Sequence, residues 1–268
     1  MLKDITLGQF FPGESVVHKM DARVKLVLTL VFIVMLFAAK NMWGLLVGVG
    51  FTLLSFLLTR IPLKMMWKSI KPIIPLVLFT AVLNIFFTGD GEKVFEWHFI
   101  KITDKGLDTA GFMVVRIICL IVGSSLLTYT TSPIDLTDAI ERLLSPLKKL
   151  HVPVHELAMM MTIALRFIPT LIEETEKIMN AQKARGSELD TGSFRDKVRG
   201  MVPIFVPLFV SSFRRAEELA TAMECRCYHG GEGRTRLHVL QYERRDYTAL
   251  AMGGAICVAV FVLGRFGL

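Results

Sequence analysis

The sequence contains no Gly-rich phosphate loop, no His-Glu-x-x-His pair, no nucleophile elbow and no paired-acid motif. Those gaps argue against a chain that hydrolyses ATP itself, a zinc-dependent protease and a serine hydrolase. Cysteine is scarce. Of the four, Cys119 and Cys257 fall in apolar runs and Cys225 and Cys227 in a charged stretch, so no disulfide framework is expected and all four read as small, semi-apolar packing residues. A cationic start followed by an apolar core is also missing: Met1–Arg23 is polar, carries acids and turns at Pro12-Gly13, so the first true span is expected to direct insertion.

What the chain has in abundance is apolar sequence. Hydrophobic residues make up 53% of 268 positions, the mean hydropathy is +0.52, and charge is nearly missing from several long runs. Val24–Ala39 and Met42–Thr59 form a tight hairpin of two spans around Lys40-Asn41. Pro72–Thr88, Gly111–Thr131 and Thr248–Gly267 supply three more, each near the ~20 residues that cross a bilayer. The expected fold is all-α: a polytopic membrane protein with about five transmembrane helices and a cytosolic or interfacial three-helix block. Its expected divisions are an N-terminal segment (1–23), spans one to four (24–131), cytosolic helices (132–247) and a fifth span (248–268).

Orientation follows from lysine and arginine in the short connections. Arg60–Lys71 holds four basic residues and no acid, whereas Gly89–Ala110 has three lysines among five acids. The first is therefore expected inside and the second outside, which puts the N-terminus in the cytosol and the C-terminus outside. Gly91–Lys101 is expected to form a short external strand or lid. The net charge of +7 does not indicate nucleic acid, because Ser132–Tyr247 has 17 basic against 16 acidic residues and lacks interleaved aromatic and basic positions.

Within the charged block, Ser132-Pro133 with Asp135 is an N-cap followed by proline at the first helical position, opening a helix to about Leu150. A second helix, His155–Arg185, should kink near Pro169 and end at Gly186. A third runs from near Ser193 to Arg226, bends at Pro203 and Pro207, and stops before Gly230-Gly231. Leu157–Ile172 and Met201–Phe213 are not counted as spans: both are short, the first contains Arg166, and crossing would put Lys183, Arg185, Arg195, Lys197 and Arg199 outside.

The two long helices end alike. Ala181–Gly186 (AQKARG) and Ala222–Cys227 (AMECRC) each set one arginine among small residues, four positions after an alanine on the same helix face. A partner can approach such an end closely and still meet a forked, permanently charged head. A single arginine there would be read as serving the helix dipole or solvent, with Glu224 as a local partner for Arg226; a matched pair points to docking. Ala184, Arg185, Gly186, Cys225, Arg226 and Cys227 are the candidate site residues.

Other groups draw less functional weight. Cys225-x-Cys227-x-His229 with His238 lacks the spacing of a structural zinc site, and no cofactor is expected. Arg116, inside a span but near its outer end, reads as an anchor, as does Arg265. Asp21-Ala22-Arg23 reads as an N-cap with an orienting cation. Gly44, Gly48 and Gly50 serve close packing, either within the chain or against another membrane protein.

Phe11-Pro12-Gly13-Glu14-Ser15 with His18, Asp21–Leu26, Arg166-Phe167-Ile168-Pro169 and the two arginine motifs together resemble the transmembrane scaffold (T) component of energy-coupling factor (ECF) ABC-type vitamin and metal transporters, an EcfT/CbiQ-like family. The resemblance covers nearly the whole chain. It implies a non-catalytic subunit of an importer in the plasma membrane of a prokaryote that holds two cytosolic ABC ATPase subunits through its arginine motifs and receives a small membrane-embedded substrate-binding S component. Ala184-Arg185-Gly186 matches the first motif fully, while Cys225-Arg226-Cys227 keeps only the arginine of the Ala-Arg-Gly form. Ala22 stands where proline is common. The alternative is a stand-alone secondary transporter or channel, which would call for more mid-bilayer polar groups than Arg116, Asn84 and Ser124-Ser125.

Overall fold

The computed structural model describes residues 10–39, 41–87, 93–97, 100–186, 194–230 and 240–266. Lys40, Thr88, Gly91, Ser193, Gly231, His238 and Gly267, which figure in the sequence reading, lie outside the described residues. Among the described residues the chain is all-α apart from one short hairpin, and it divides into two compact units, one of residues 8–139 with 239–268 and one dominated by residues 140–238.

The first unit is a helical bundle of α1 (Ala22–Ala38), α2 (Met42–Thr59), α3 (Leu63–Ile70), α4 (Ile74–Phe87), α5 (Asp104–Thr130) and α9 (Arg244–Phe266), with the start of α6 (Pro133–Leu144). Helix α1 is central and packs on α9, α5 and α2. Its Phe32, Met35 and Leu36 meet Leu45, Cys119 and Val260 in the main core. Close approach there depends on glycine: a Cβ on Gly48 would sit 2.7 Å from Leu36 Cδ2, one on Gly123 would collide with the Phe32 ring, and one on Gly253 with Leu28. Gly44 and Gly48 are thus internal packing positions, whereas the space around Gly50 is open. Leu53, Leu57, Leu78, Phe79 and Phe261 instead point outward, the arrangement a lipid-facing bundle requires.

Two expectations change here. Arg60–Lys71 is not a plain loop: Leu63, Met66, Trp67 and Ile70 recur at helical spacing, and α3 forms after Pro62, with Met66 buried beside Leu126 and Tyr129. The Tyr129 hydroxyl donates to the Met65 carbonyl (3.3 Å) and lies 2.5 Å from the Ser69 hydroxyl, which fastens α3 to the end of α5. The expected outer strand proves to be a hairpin, β1 (Lys93–Trp97) antiparallel to β2 (Ile100–Thr103), leading into α5. Thr103 caps that helix by accepting from the Gly106 amide. Arg116 behaves as an anchor: its Nη2 donates to the Ala39 carbonyl at the end of α1, and its guanidinium lies 4.6 Å from the Phe112 ring centroid.

Five helical stretches among the described residues are long and apolar enough to cross a membrane: Met42–Thr59, Leu63–Phe86, Asp104–Thr130, Val154–Ala184 and Arg244–Arg265. Helix α1 has 17 residues, about 26 Å at 1.5 Å per residue, just under that length. Shortness does not exclude Val154–Ala184, whose helix has 31 residues, although its mean hydropathy is the lowest of the five.

In the second unit α7 (Val154–Ala184) and α8 (Phe194–Cys225) pack antiparallel. Glu174 accepts from the Ser211 hydroxyl and pairs with Arg215 at 2.9 Å, Gln182 meets Pro203, and the Tyr228 hydroxyl meets Met159 Sδ at 3.0 Å. Ahead of them, α6 stops at Leu144, earlier than the sequence reading placed it. Pro146 cannot continue the α-helical ladder, so Ser145–Leu150 tightens into a 3-10 turn ending at His151 with φ 60°.

Both long helices run through their prolines without a break. Pro207 has no N–H to offer the Pro203 carbonyl one turn back. The Gln182 side-chain amide donates to that carbonyl at 3.3 Å. A defect in α8 thus becomes a contact with the last turns of α7.

Candidate functional site: two exposed arginine helix ends

Helix α7 ends with Arg185 as its C-cap and Gly186 at φ +81°, the Gly186 amide donating to the Lys183 carbonyl at 3.0 Å. Helix α8 ends with Arg226 in the same place and Cys227 at φ +54°. There the Cys227 amide donates to Glu224 (2.9 Å) and the Tyr228 amide to Met223 (3.1 Å), the paired bonds of a Schellman motif. The bond from the left-handed residue back across the last turn is common to both. Loss of glycine therefore does not change the second end's geometry. It puts a side chain into a left-handed conformation that costs roughly 1–2 kcal/mol in a non-glycine residue.

Ala184, Arg185, Gly186, Cys225, Arg226 and Cys227 are all exposed. Among the described residues neither guanidinium has a hydrogen-bond or ion-pair partner, so Glu224 does not serve Arg226 as expected. Cys225 and Cys227 are not packing residues either: both face solvent, and Cys227 occupies the turn position. Cys119 is buried and Cys257 packs at the edge of the core, as read from sequence. No group of three or more His, Cys, Asp or Glu converges among the described residues, and His229 Nδ1 lies 2.8 Å from the Cys227 carbonyl oxygen.

Because α7 and α8 are antiparallel, the two arginines stand at opposite ends of the pair. The Arg226 end lies by Met159, 26 residues before Arg185, which is about 39 Å of helix. Two separate proteins can meet these ends without competing for one surface.

The N-terminal motif has a different character. Arg23 is buried and makes a bidentate pair with Asp21, Nη2–Oδ2 being 2.6 Å and Nε–Oδ1 3.0 Å; its guanidinium also stacks 3.9 Å over Tyr242 and donates to the Leu240 carbonyl. Asp21 caps α1 by accepting from the Arg23 amide at 2.8 Å, as expected. Its own amide donates to Asp246, which is 1% exposed and also accepts from the Glu243 amide at 2.8 Å. Asp246 is thus the third residue of α9 reaching back to the cap, half of a capping box, while tying α9 to α1. The sequence reading missed Asp246; an acid three residues after Glu243 at a helix start was the available signal.

Lys25 completes this node by donating to the Thr130 carbonyl (2.8 Å) and the His18 carbonyl (3.1 Å). Upstream, the Phe11 amide donates to Tyr129, the His18 ring bridges Ser15 Oγ (2.7 Å) and the Phe11 carbonyl (3.0 Å), and Gly13 lies so close to that ring that a Cβ would come within 2.8 Å. Burial depresses the His18 pKa below 6.5, Lys25 adding to the effect against the opposing Phe11 bond. The neutral ring then donates from Nε2 to Phe11 and accepts the Ser15 hydroxyl at Nδ1. The conspicuous Phe-Pro-Gly-Glu-Ser run is therefore a lock on one end of the bundle.

Residues 13–237 match the family described as Cobalt transport protein. Proteins named Energy-coupling factor transporter transmembrane protein EcfT are similar over almost the full length. One from Clostridium kluyveri is 53% identical across 99% of this chain and 98% of its own. Another from Ruminiclostridium cellulolyticum is 50% identical across 92% of each, and a third from Bacillus subtilis is 45% identical across 98% of this chain and 99% of its own. On this match over most of its length and on identities of 45–53% with such relatives, the chain belongs to the EcfT family of energy-coupling factor transporter transmembrane proteins.

Proposed function

We propose that this chain is the non-catalytic coupling subunit of an ECF-type importer. Arg185 and Arg226 dock into two cytosolic ABC ATPase subunits, and the residues about them, Ala184, Gly186, Cys225 and Cys227, let the partner backbones close in. ATP-driven movement of those subunits shifts the two helix ends. The α7–α8 pair passes the shift to a small membrane-embedded S component that carries a vitamin or other micronutrient. The N-terminus and residues 132–247 lie on the cytosolic side and the C-terminus outside.

The observation that carries this reading is the matched pair of exposed arginine C-caps, without partners among the described residues and set about 39 Å apart along α7. An arginine that enters an acidic groove and is desolvated there can hold firmly: truncating one partner of such a pair costs about 2–5 kcal/mol. For the S component, α8 presents an exposed stripe of Val198, Val202, Phe205, Phe209 and Phe213 at helical spacing. A face of this kind is suited to sliding contact with an apolar membrane protein.

The test is a detergent pull-down from native membranes of the tagged chain and of its Arg185→Glu/Arg226→Glu variant, with partners identified by mass spectrometry. Two ATPases and small membrane proteins should come down with the unaltered chain, and the variant should lose the ATPases. Intact assembly and ATP-dependent uptake with both charges reversed would refute the docking role. Transport by the lone chain in liposomes would instead indicate a secondary carrier.

A further inference from the structure

We infer that the bundle holds one anionic phospholipid in a cavity between α1, α2, α5 and α9, with the lipid phosphate at Arg245. The cavity has a volume of about 300 Å³ and is almost wholly apolar inside. Along α1 it reaches from Lys25 to Phe32, and along α9 from Arg245 to Met252, so its depth is about 10 Å. That is a large part of one leaflet of a hydrocarbon core about 30 Å thick. Leu54 and Leu58, exposed on α2, border it and give an acyl chain a path in from the membrane.

Its charged end decides the occupant. Lys25 and Arg245 both line that end. Arg245 Nη2 pairs with Glu243 at 2.7 Å, but its Nε–H is buried and has no acceptor among the described residues. A buried donor without an acceptor is costly, and a phosphate oxygen is an acceptor that a headgroup brings to this depth. Asp246, the other acid at the start of α9, is turned away onto the Asp21 and Glu243 amides, so Glu243 is the carboxylate that competes for Arg245. Tyr242 and Tyr247, ring centroids 5.8 Å apart, sit at the same level, where aromatic residues mark the membrane–water interface. Arg245 over an apolar slot, with the Lys25 ammonium beside it already held on the Thr130 and His18 carbonyls, favours a lipid of net negative charge over a zwitterionic one.

The experiment is native mass spectrometry of the full-length chain in detergent, titrated with phosphatidylglycerol or with phosphatidylcholine of the same acyl chains. One phosphatidylglycerol should be retained in preference to phosphatidylcholine. Arg245→Gln should weaken that retention about fivefold, the effect of one cationic contact, without changing phosphatidylcholine. Ala249→Phe, which fills the slot, should abolish both. Glu243→Gln frees the second guanidinium nitrogen and should tighten phosphatidylglycerol binding, a gain that a misfolded variant would not give. Equal retention of the two lipids, or phosphatidylglycerol binding indifferent to Arg245→Gln and Glu243→Gln, would overturn the assignment. So would retention of neither lipid.

Discussion

The two arginine ends share a backbone but differ at one residue, and that difference yields opposite responses to a single substitution. Gly186 holds φ +81° with nothing within 4 Å of where a Cβ would be, so Gly186→Ala meets no steric obstacle and acts only through the backbone. A non-glycine residue in the left-handed region loses roughly 1–2 kcal/mol, and reduced freedom of the unfolded chain returns about 0.4–1, leaving a net cost near 1 kcal/mol. At the other end Cys227, at φ +54°, already bears that cost, and Cys227→Gly should recover about the same amount. One kcal/mol is about a fivefold change in the fraction of time each last turn is open.

Hydrogen exchange read by mass spectrometry resolves this locally. Peptides containing the Arg185 and Gly186 amides should exchange about fivefold faster in Gly186→Ala, and those containing the Cys227 and Tyr228 amides about fivefold slower in Cys227→Gly. If docking needs the capped end, ATPase affinity should fall by the same factor in the first variant and rise in the second. No change in either peptide would show that the left-handed residue does not govern these helix ends. A change of the same sign in both would refute the conformational argument.

The bundle offers three further tests. Gly123→Ala forces the Phe32 ring aside and should cost about 1 kcal/mol, the low end for overpacking because the ring borders the cavity, seen as a lower melting temperature in detergent, whereas Gly50→Ala, in open space, should be neutral or slightly stabilising. Asp246→Ala leaves the Asp21 and Glu243 amides without their carboxylate and should cost about 1.5–3 kcal/mol in the same assay, while Asp246→Asn should cost less. His18 has a depressed folded-state pKa, so the unfolded chain binds its proton first: the His18 contribution should be full above pH 6.5 and be lost as pH falls from 6.5 towards the folded-state value. A melting-temperature difference between wild type and His18→Gln that shrinks as pH drops below 6.5 would meet that expectation, and one that grows would refute it.

Much of the fold was legible because its signals are local. Apolar runs gave four of the five stretches long enough to cross a membrane, though not Val154–Ala184, Ser132-Pro133 gave the start of α6, and Gly186 gave the end of α7. What escaped depends on distant residues or on weaker periodicity. Helix α3 is eight residues between prolines and lysines, and it gains its buried face only when Tyr129, some 60 positions later, comes to rest on Ser69. Asp246 gives little away as one acid after two arginines; its meaning comes from Asp21, 225 residues earlier. Cys227 shows a third kind of miss. Lacking glycine's freedom, Cys227 put the geometry of the second helix end in doubt from the sequence, but the Schellman bonds to Met223 and Glu224 impose the left-handed turn all the same.

The contrast between Arg23 and the exposed pair shows why residue type alone could not assign a role. Arg23 meets a bidentate carboxylate, a carbonyl and a tyrosine face within hydrogen-bonding or stacking reach, so its charge is spent inside the bundle, where losing a partner would be expensive. Arg185 and Arg226 have no such company among the described residues and pay no desolvation cost in the free chain. On the docking role proposed above, their binding energy is kept for that encounter. That proposal asks of the chain a rigid node in the membrane bundle, which Asp21, Arg23 and Asp246 supply, and uncommitted cations for other proteins to pull on, which Arg185 and Arg226 supply.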